Sequence, residues 1–173
     1  MSLYLSAGEI FDIGIQIEAN GKKFYEAVAR NTSDLAVQKL FLELSDWESK
    51  HIELFRKLKE ALSSSLKEET TFDPNQELDL YIKPTAENHV FVRNRDVAEL
   101  AQKCKTTAEA FDVAVNFEKD SVVFYATMKK AVPEDFGRDK IDALIDEEIR
   151  HISILTQKKK EWEEEKLETG NRK

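Results

Sequence analysis

Two Glu-x-x-His motifs are the residues of this sequence with the clearest capacity for chemistry. They are Glu48/His51 and Glu148/His151, and they contain two of the three histidines in the chain. Residues three apart on a helix lie about one turn apart on the same face, so each motif presents a carboxylate and an imidazole to one site. Carboxylates and imidazoles together are typical ligands of iron, manganese and zinc, so the motifs predict metal binding.

A further glutamate precedes each motif at the same distance. Glu18 lies 33 residues before His51, and Glu118 lies 33 residues before His151. Four carboxylates in a protein core are strongly unfavourable unless cations neutralise their charge, and two divalent ions would do so. Each His and each upstream Glu would complete the shell of one ion and leave positions open for an oxidant. The predicted metal ligands are Glu18, Glu48, His51, Glu118, Glu148 and His151.

The identity of the metal is open at this point. Oxygen ligands with one nitrogen per ion suit iron or manganese, whereas zinc or copper can bind more tightly. We predict two iron ions, with manganese or zinc as alternatives. The plainer interpretation places these Glu and His residues on exposed helix surfaces, but the recurrence of both spacings around both motifs favours a site.

Two tyrosines follow the upstream glutamates at equal spacing. Tyr25 and Tyr125 lie seven residues after Glu18 and Glu118, which is two helical turns along the same face. Each can donate a hydrogen bond to a ligand carboxylate or give up an electron, and we predict both as catalytic residues. The alternative is a core tyrosine with a satisfied hydroxyl group.

These residues belong to a repeat that aligns the two ends of the chain at a shift of 100 residues. Both copies begin with a predicted capping box, Ser6/Glu9 in the first and Thr106/Glu109 in the second. Apolar residues then recur at helical spacing, which predicts a first helix to about Arg30 and a second to about residue 62. Two helical hairpins of this kind make a four-helix bundle.

The rest of the chain connects or extends the hairpins. Turn signals at 63–65, 73–75 and 83–84 predict a crossover, with a short helix from about Val97 to Lys103. Pro133 suits the first turn of the fourth helix, and the charged tail is expected to extend that helix before it frays. We predict a single domain over 1–173, with hairpin 1 at about 6–62, the crossover at about 63–105, hairpin 2 at about 106–160 and the charged tail at 161–173.

Composition narrows the class of protein. The chain has 173 residues, of which 35% are charged, and a net charge of -8, which argues against a nucleic-acid surface. The sequence contains no run of about 18 apolar residues, so it predicts no membrane span. Its single cysteine, Cys104, indicates a reducing compartment. We therefore expect a cytoplasmic protein. Cys104 and His89 are left out of the predicted site, and Trp47 is interpreted as core packing.

The motifs resemble the rubrerythrin branch of the ferritin-like di-iron carboxylate proteins. The resemblance covers 6–62 and 106–155, and it rests on the segments 17–18 with 24–25, 48–51, 117–118 with 124–125, and 146–151. It implies an all-α, ferritin-like four-helix bundle built from two repeated helical hairpins joined by a long crossover. It also implies that the six residues bind two irons, that Glu48 and Glu148 bridge them, and that Tyr25 and Tyr125 lie nearby.

Two departures bear on the activity that the resemblance implies. Rubrerythrins typically carry a rubredoxin-like domain with an iron held by four cysteines, whereas this sequence contains one cysteine. They also usually have a further Glu three residues after the third-helix ligand, and that position is Ser121 here. We therefore expect any electron donor to be a separate protein.

The predicted function is a di-iron oxidoreductase that reduces peroxide or dioxygen with an external electron-donor protein. The alternative is an iron-binding, ferroxidase-like iron-handling protein without catalytic turnover. In a third interpretation the metals only neutralise buried carboxylates. The apolar helices and the resemblance together make a homodimer an expectation as well.

Overall fold

A computed structural model of the chain describes residues 6–62, 82, 84–86, 89, 96–132 and 137–170. Its helices, numbered in chain order, are α1 (Ala7–Asn31), α2 (Leu35–Ala61), α3 (Val97–Lys103), α4 (Thr107–Ala131) and α5 (Arg138–Gly170). In this part of the chain, no helix combines the length and the apolar character that a membrane crossing needs.

The first hairpin begins at the predicted capping box. The Glu9 N–H donates to Ser6 Oγ at 3.2 Å, and the Ser6 N–H donates to Glu9 Oε2 at 2.7 Å. After α1 ends, Asp34 caps α2 by accepting hydrogen bonds from two backbone N–H groups of its first turn. The predicted helix ends at about residues 30 and 62 are each confirmed to within one residue.

The second hairpin begins with half of its predicted capping box. Thr106 Oγ1 accepts from the Glu109 N–H at 3.1 Å, as predicted, but the Glu109 carboxylate accepts from the Lys105 N–H at 2.6 Å. The second hydrogen bond of the capping box is therefore displaced, because the Glu109 carboxylate accepts from the residue before Thr106 instead of from Thr106 itself. Further on, Gly137 has a φ of +83° and precedes α5, and a Cβ there would lie 2.5 Å from Leu58 Cδ2. This turn requires glycine.

The connecting segments are described in part. The short helix α3 has the predicted bounds, and Asp96 caps it by accepting from the Glu99 N–H. The predicted turns at 63–65 and 73–75, and Pro133, lie outside the described residues. As expected, α5 continues into the charged tail and reaches residue 170. Ion pairs one turn apart line this extension: Lys158–Glu161, Lys159–Glu163 and Lys160–Glu164.

The four long helices form a ferritin-like bundle, as predicted. Within it α1 packs along α2, α4 packs along α5, and α1 also contacts α3 and α4. Equivalent ion pairs join the two hairpins internally, Asp12–Lys59 at 2.6 Å in one and Asp112–Lys159 at 2.5 Å in the other. The largest side chains that are fully buried include Phe11, Phe24, Tyr25, Phe41, Phe55, Phe111, Phe117, Phe124 and Tyr125. Burying a side chain of this kind stabilises the fold by about 1.5–3 kcal/mol.

Candidate metal centre

All six predicted ligands lie in the interior of the bundle. The four glutamates are 0% exposed, and His51 and His151 are 3% and 5% exposed. Helices α1 and α4 contribute one glutamate each, and α2 and α5 contribute one Glu-x-x-His motif each. Ionised carboxylates are rarely buried unless they are paired or bind a cation, so this cluster requires positive charge in its midst.

The ligand atoms fall into two groups that share one residue. Glu18, Glu48, His51 and Glu148 each offer an atom within 4.8 Å of the others, and Glu118, Glu148 and His151 form a second such group. Glu148 belongs to both groups, so it would be able to bridge two ions if one were bound in each. Glu48 lies in the first group alone, so its bridging role stays a prediction from the resemblance.

The cluster meets a direct test of whether it fits metal ions. Its buried atoms without a hydrogen-bond partner, among the described residues, are Glu18 Oε2, Glu48 Oε1 and Oε2, His51 Nδ1, Glu118 Oε2 and Glu148 Oε1. Buried polar atoms are almost always hydrogen-bonded, so a concentration of six exceptions on five residues of one cluster needs an explanation. Divalent ions between these atoms supply one, because each atom is a lone-pair donor of the kind that iron, manganese or zinc binds.

Without metal, the carboxylates compete for protons. Burial raises the pKa of Glu48 well above its ordinary value, and the neighbouring Glu18 carboxylate raises it further. Burial likewise raises the pKa of Glu118, and the charge of Glu148 adds to the effect. Burial alone would also raise the pKa of Glu148, but the imidazoles of His151 and His51, 2.9 and 3.1 Å from its oxygens, outweigh it and lower that pKa.

Burial acts on the pKa values of the two imidazoles in the opposite sense. Burial alone would lower the pKa of His151, but the carboxylates of Glu118 and Glu148 outweigh it and raise the pKa to about 9. The pKa of His51 is also raised, because Glu148, Glu18 and Glu48 outweigh its burial. Imidazolium ions thus hold the carboxylate cluster together in the metal-free protein, and metal binding must displace their protons.

The two predicted tyrosines do contact the cluster, but each contacts the glutamate of the other repeat. The Tyr25 hydroxyl donates to Glu118 Oε1 at 2.5 Å, and the Tyr125 hydroxyl donates to Glu18 Oε1. Burial raises the pKa of both phenols, and the surrounding glutamates raise it further. Both hydroxyls are therefore protonated donors at neutral pH.

Two residues outside the ligand set contact the histidines. Glu147 Oε2 lies 3.1 Å from His51 Nε2. The indole of Trp47 stacks on the imidazole of His151, with ring centroids 4.5 Å apart and an angle of 5° between the planes. Trp47 packs against the core, as interpreted from the sequence, and its half-buried ring also covers His151, a predicted metal ligand.

His89 is a buried polar residue that the repeat did not identify. It is 0% exposed, its Nε2 lies 3.2 Å from Ser121 Oγ, and its ring meets Phe117 edge to face at 5.2 Å. Burial lowers its pKa to about 3, against the charge of Glu148, so the imidazole is neutral. It belongs to neither ligand group. No sequence signal could place it, because it lies in the crossover without a repeat counterpart.

The bundle and its buried set of four glutamates and two histidines define a ferritin-like carboxylate protein with a candidate di-metal site. A family model for rubrerythrin matches residues 9–157, and the chain belongs to the rubrerythrin family. Among curated proteins, none matches the sequence significantly.

The fold has a counterpart among solved structures. It is similar to the crystal structure of a protein described as a ferritin-like diiron-carboxylate protein from Thermotoga maritima, with a TM-score of 0.68 and 23% sequence identity. The match covers 93% of this chain and 99% of the other. At this identity the likeness shows the fold.

Proposed function

We propose that this protein is a di-iron oxidoreductase that reduces peroxide or dioxygen with electrons from an external donor. The observation that carries the proposal is the convergence of four buried glutamates and two buried histidines, in which all four glutamates and His51 have atoms without a hydrogen-bond partner. Two ions that shared these four glutamates and two histidines would keep open positions for an oxidant, as catalytic metal sites do.

The protein's own residues would bind the ions and deliver protons. Two bound iron ions supply the electrons that cleave the oxygen–oxygen bond. Reduction of peroxide to two water molecules also consumes two protons. The Tyr25 and Tyr125 hydroxyls, which donate to Glu118 and Glu18 and whose pKa values are raised by burial and by neighbouring carboxylates, are suited to hold protons at their phenol oxygens beside the centre. The Tyr25 hydroxyl orients Glu118 through its hydrogen bond.

Aromatic side chains keep bulk water away from this chemistry. Phe24 and Phe124 each pack edge to face on the tyrosine that follows them, with centroids 5.8 and 5.6 Å apart. Phe55 covers the other side of Tyr125 at 5.2 Å. A dry site strengthens each hydrogen bond and charge interaction within it and protects reactive species from side reactions.

The test is anaerobic loading with ferrous iron, followed by peroxide or air. We expect the wild-type protein to bind two ferrous ions per chain and to develop a ferric charge-transfer band. Glu148→Ala and His51→Ala should bind less iron and lose the band. Glu53→Gln is the matched control, because Glu53 lies on the same helix as His51 with its side chain 64% exposed.

A turnover measurement distinguishes the oxidoreductase from the alternative, an iron-handling protein without catalytic turnover. Repeated peroxide consumption in the presence of an added reductant supports the proposal. A single oxidation that no reductant reverses would instead indicate iron handling. Binding of fewer than one ferrous ion per chain, or unchanged binding in His151→Ala, would contradict the metal centre itself.

A further inference from the structure

The two copies of the repeat differ in the residue that directly precedes each Glu-x-x-His motif. This residue is Trp47 in the first copy and Glu147 in the second. Each contacts the histidine of the opposite copy: the indole of Trp47 stacks on His151, and the carboxylate of Glu147 meets His51. Equivalent backbone positions therefore place two chemically different groups against the two imidazoles.

Glu147 makes the His51 side of the centre the more electron-rich side. A carboxylate oxygen only accepts hydrogen bonds, so His51 Nε2 carries the proton in its 3.1 Å contact with Glu147. His51 Nδ1 then faces Glu48 and Glu148 with its lone pair available for metal. A hydrogen-bonded carboxylate raises the basicity of a ligand imidazole, which favours the more highly charged, oxidised state of the ion that it binds.

On the His151 side of the centre, the indole of Trp47 makes a stacking contact instead of a hydrogen bond. His151 directs Nδ1 toward Glu148, at 2.9 Å from Oε2, and exposes the face of its ring to Trp47. The two ring planes are nearly parallel, at 5°, and their centroids are 4.5 Å apart, so their π systems are in contact. Trp47 is half-buried whereas the ligands are buried, so the stacked pair forms a continuous aromatic path from solvent to the centre. Electron tunnelling decays more steeply across gaps than through bonded aromatic rings in van der Waals contact.

We propose that Trp47 is the electron-entry residue of the centre. This inference rests on the proposed function and names where its reductant acts. A reduced one-electron carrier protein, of the iron–sulfur or flavin class, contacts Trp47 and loses one electron. That electron passes through the Trp47–His151 stack and reduces the ferric ion on the His151 side to ferrous. A second transfer reduces the other ion and restores the di-ferrous centre.

The contact between Trp47 and the metal can be measured without turnover. Trp47 and Trp162 are the two tryptophans of the chain, so Trp162→Phe leaves Trp47 as the sole indole emitter. Loading this variant with cobalt(II) should remove most of its fluorescence. Trp47→Phe, which retains Trp162, should keep its fluorescence under the same loading. Unquenched Trp47 emission in a protein that has bound two cobalt ions would overturn the proposal.

The electron path is tested by photoreduction from a fixed point. A ruthenium–bipyridine label is attached at Lys50→Cys or at Arg150→Cys, which are repeat-equivalent exposed positions, with Cys104→Ser to remove the native thiol. The centre is loaded with iron and oxidised with ferricyanide before each flash. We expect reduction to be faster from residue 50, beside Trp47, than from residue 150.

The effect of Trp47 itself completes the test. Trp47→Leu should slow reduction from the residue 50 label by an order of magnitude, and Trp47→Tyr should recover most of the rate. Both variants should still bind two irons, which a purely structural role would not predict. Equal rates from the two labels, or an unchanged rate in Trp47→Leu, would overturn the proposal. Because ferricyanide prepares the ferric state, these results stand even if peroxide fails to oxidise the protein.

Discussion

At the level of single residues, the centre is a set of carboxylates whose charge must be balanced in every state of the protein. In the metal-free state the imidazolium groups of His51 and His151 supply that balance, which is why their pKa values are raised despite burial. In the proposed metal-bound state the ions would take over, and the imidazoles would serve as ligands. The histidines therefore serve both states, and neither can be replaced by an apolar residue without leaving buried charge unpaired.

Removing the charge of Glu147 should affect one metal position selectively. In Glu147→Gln, the amide cannot draw the His51 proton as a carboxylate does, so His51 becomes a weaker base. Outer hydrogen-bond partners of ligand histidines typically contribute about 10-fold or more to metal affinity. We expect one of two cobalt(II) ions to bind about 10-fold more weakly, as measured by competitive titration with a chelator.

Glu43→Gln is the control for this measurement, because Glu43 is an exposed glutamate on α2 that pairs with Lys39. It should leave both affinities unchanged. Equal weakening of both ions in Glu147→Gln would contradict the assignment of Glu147 to the His51 side.

The tyrosine hydroxyls should contribute to stability through their bonds to the opposite glutamates. Tyr125→Phe keeps the ring but leaves Glu18 Oε1 without its donor, and Tyr25→Phe does the same to Glu118 Oε1. A hydrogen bond to a charged group contributes about 1.5–3 kcal/mol, so each variant should lose about that much free energy of unfolding. Urea unfolding of the iron-loaded protein measures it, and bound iron should stay at two ions per chain. An unchanged free energy of unfolding would show that these contacts do not form.

The ligand set could be predicted from sequence, but its surroundings could not. Spacing along a helix determines which residues share a face, so the repeat identified the six residues that the structure brings together and the two tyrosines that contact them. It does not determine which neighbour a side chain meets across the bundle, so the bonding of Tyr25 to Glu118 was not foreseen. Trp47 on His151 and His89 on Ser121 depend on helix crossing and on a crossover without a repeat counterpart, and no pattern within one segment encodes either contact.

At the level of elements, two glycines of α1 set how closely its neighbours approach. A Cβ at Gly21 would lie 2.5 Å from the ring of Phe117 on α4, and a Cβ at Gly14 would lie 3.2 Å from the ring of Phe55 on α2. Phe117 is fully buried and packs on Tyr25, so it cannot move freely. The small residues are thus explained by aromatic rings that fill the space beside them.

This difference in distance predicts different outcomes for the same substitution. Alanine is favoured over glycine inside a helix by about 1 kcal/mol, whereas overpacking a core costs about 1–3 kcal/mol. Gly21→Ala should therefore lower the free energy of unfolding, and Gly14→Ala should change it little. Thermal unfolding of the two metal-free variants measures both. A larger loss in Gly14→Ala than in Gly21→Ala would contradict the packing of α1 on α4.

The helix bounds show which local signals were sufficient. Side-chain caps marked the starts of α1 and α2, because Ser6 and Asp34 accept hydrogen bonds from backbone N–H groups of the turn that follows. The predicted C-terminal ends also lie within one residue of those in the structure. The start of α5 was less accessible to prediction. It follows Gly137, whose positive φ and contact with Leu58 depend on how the second hairpin packs against the end of α2.

At the level of the whole molecule, the protein combines a near-symmetric frame with an asymmetric centre. The ion pairs Asp12–Lys59 and Asp112–Lys159 and the two crossed tyrosine bonds repeat across the halves. The Trp47/Glu147 and Gly21/Ser121 pairs do not. Symmetry in the frame holds four helices around two ions. Asymmetry around the two histidines would give two bound ions different surroundings, which agrees with the proposed reduction from one side.

The same charge balance predicts how the stability of the whole fold depends on pH. The folded-state pKa of His151 is raised from 6.5 to about 9, so its stabilising contribution is complete below 6.5 and is lost as pH rises through 9. Glu48 and Glu118 have raised pKa values and act in the same direction. The lowered pKa of Glu148 contributes stability that is already complete above 4.5, so it does not oppose the trend.

We therefore expect the unfolding temperature of the metal-free protein to fall between pH 6.5 and pH 9. Metal binding releases the ligand protons, so metal affinity and the stabilisation that it confers should rise over the same range. The gap in unfolding temperature between the metal-loaded and metal-free protein should widen as pH increases, as measured by calorimetry at saturating cobalt(II). In His151→Gln the metal-free decline should be shallower, because the group that loses its proton is gone. A gap that narrows with pH would mean that the carboxylates are neutralised by something other than imidazolium ions and metal.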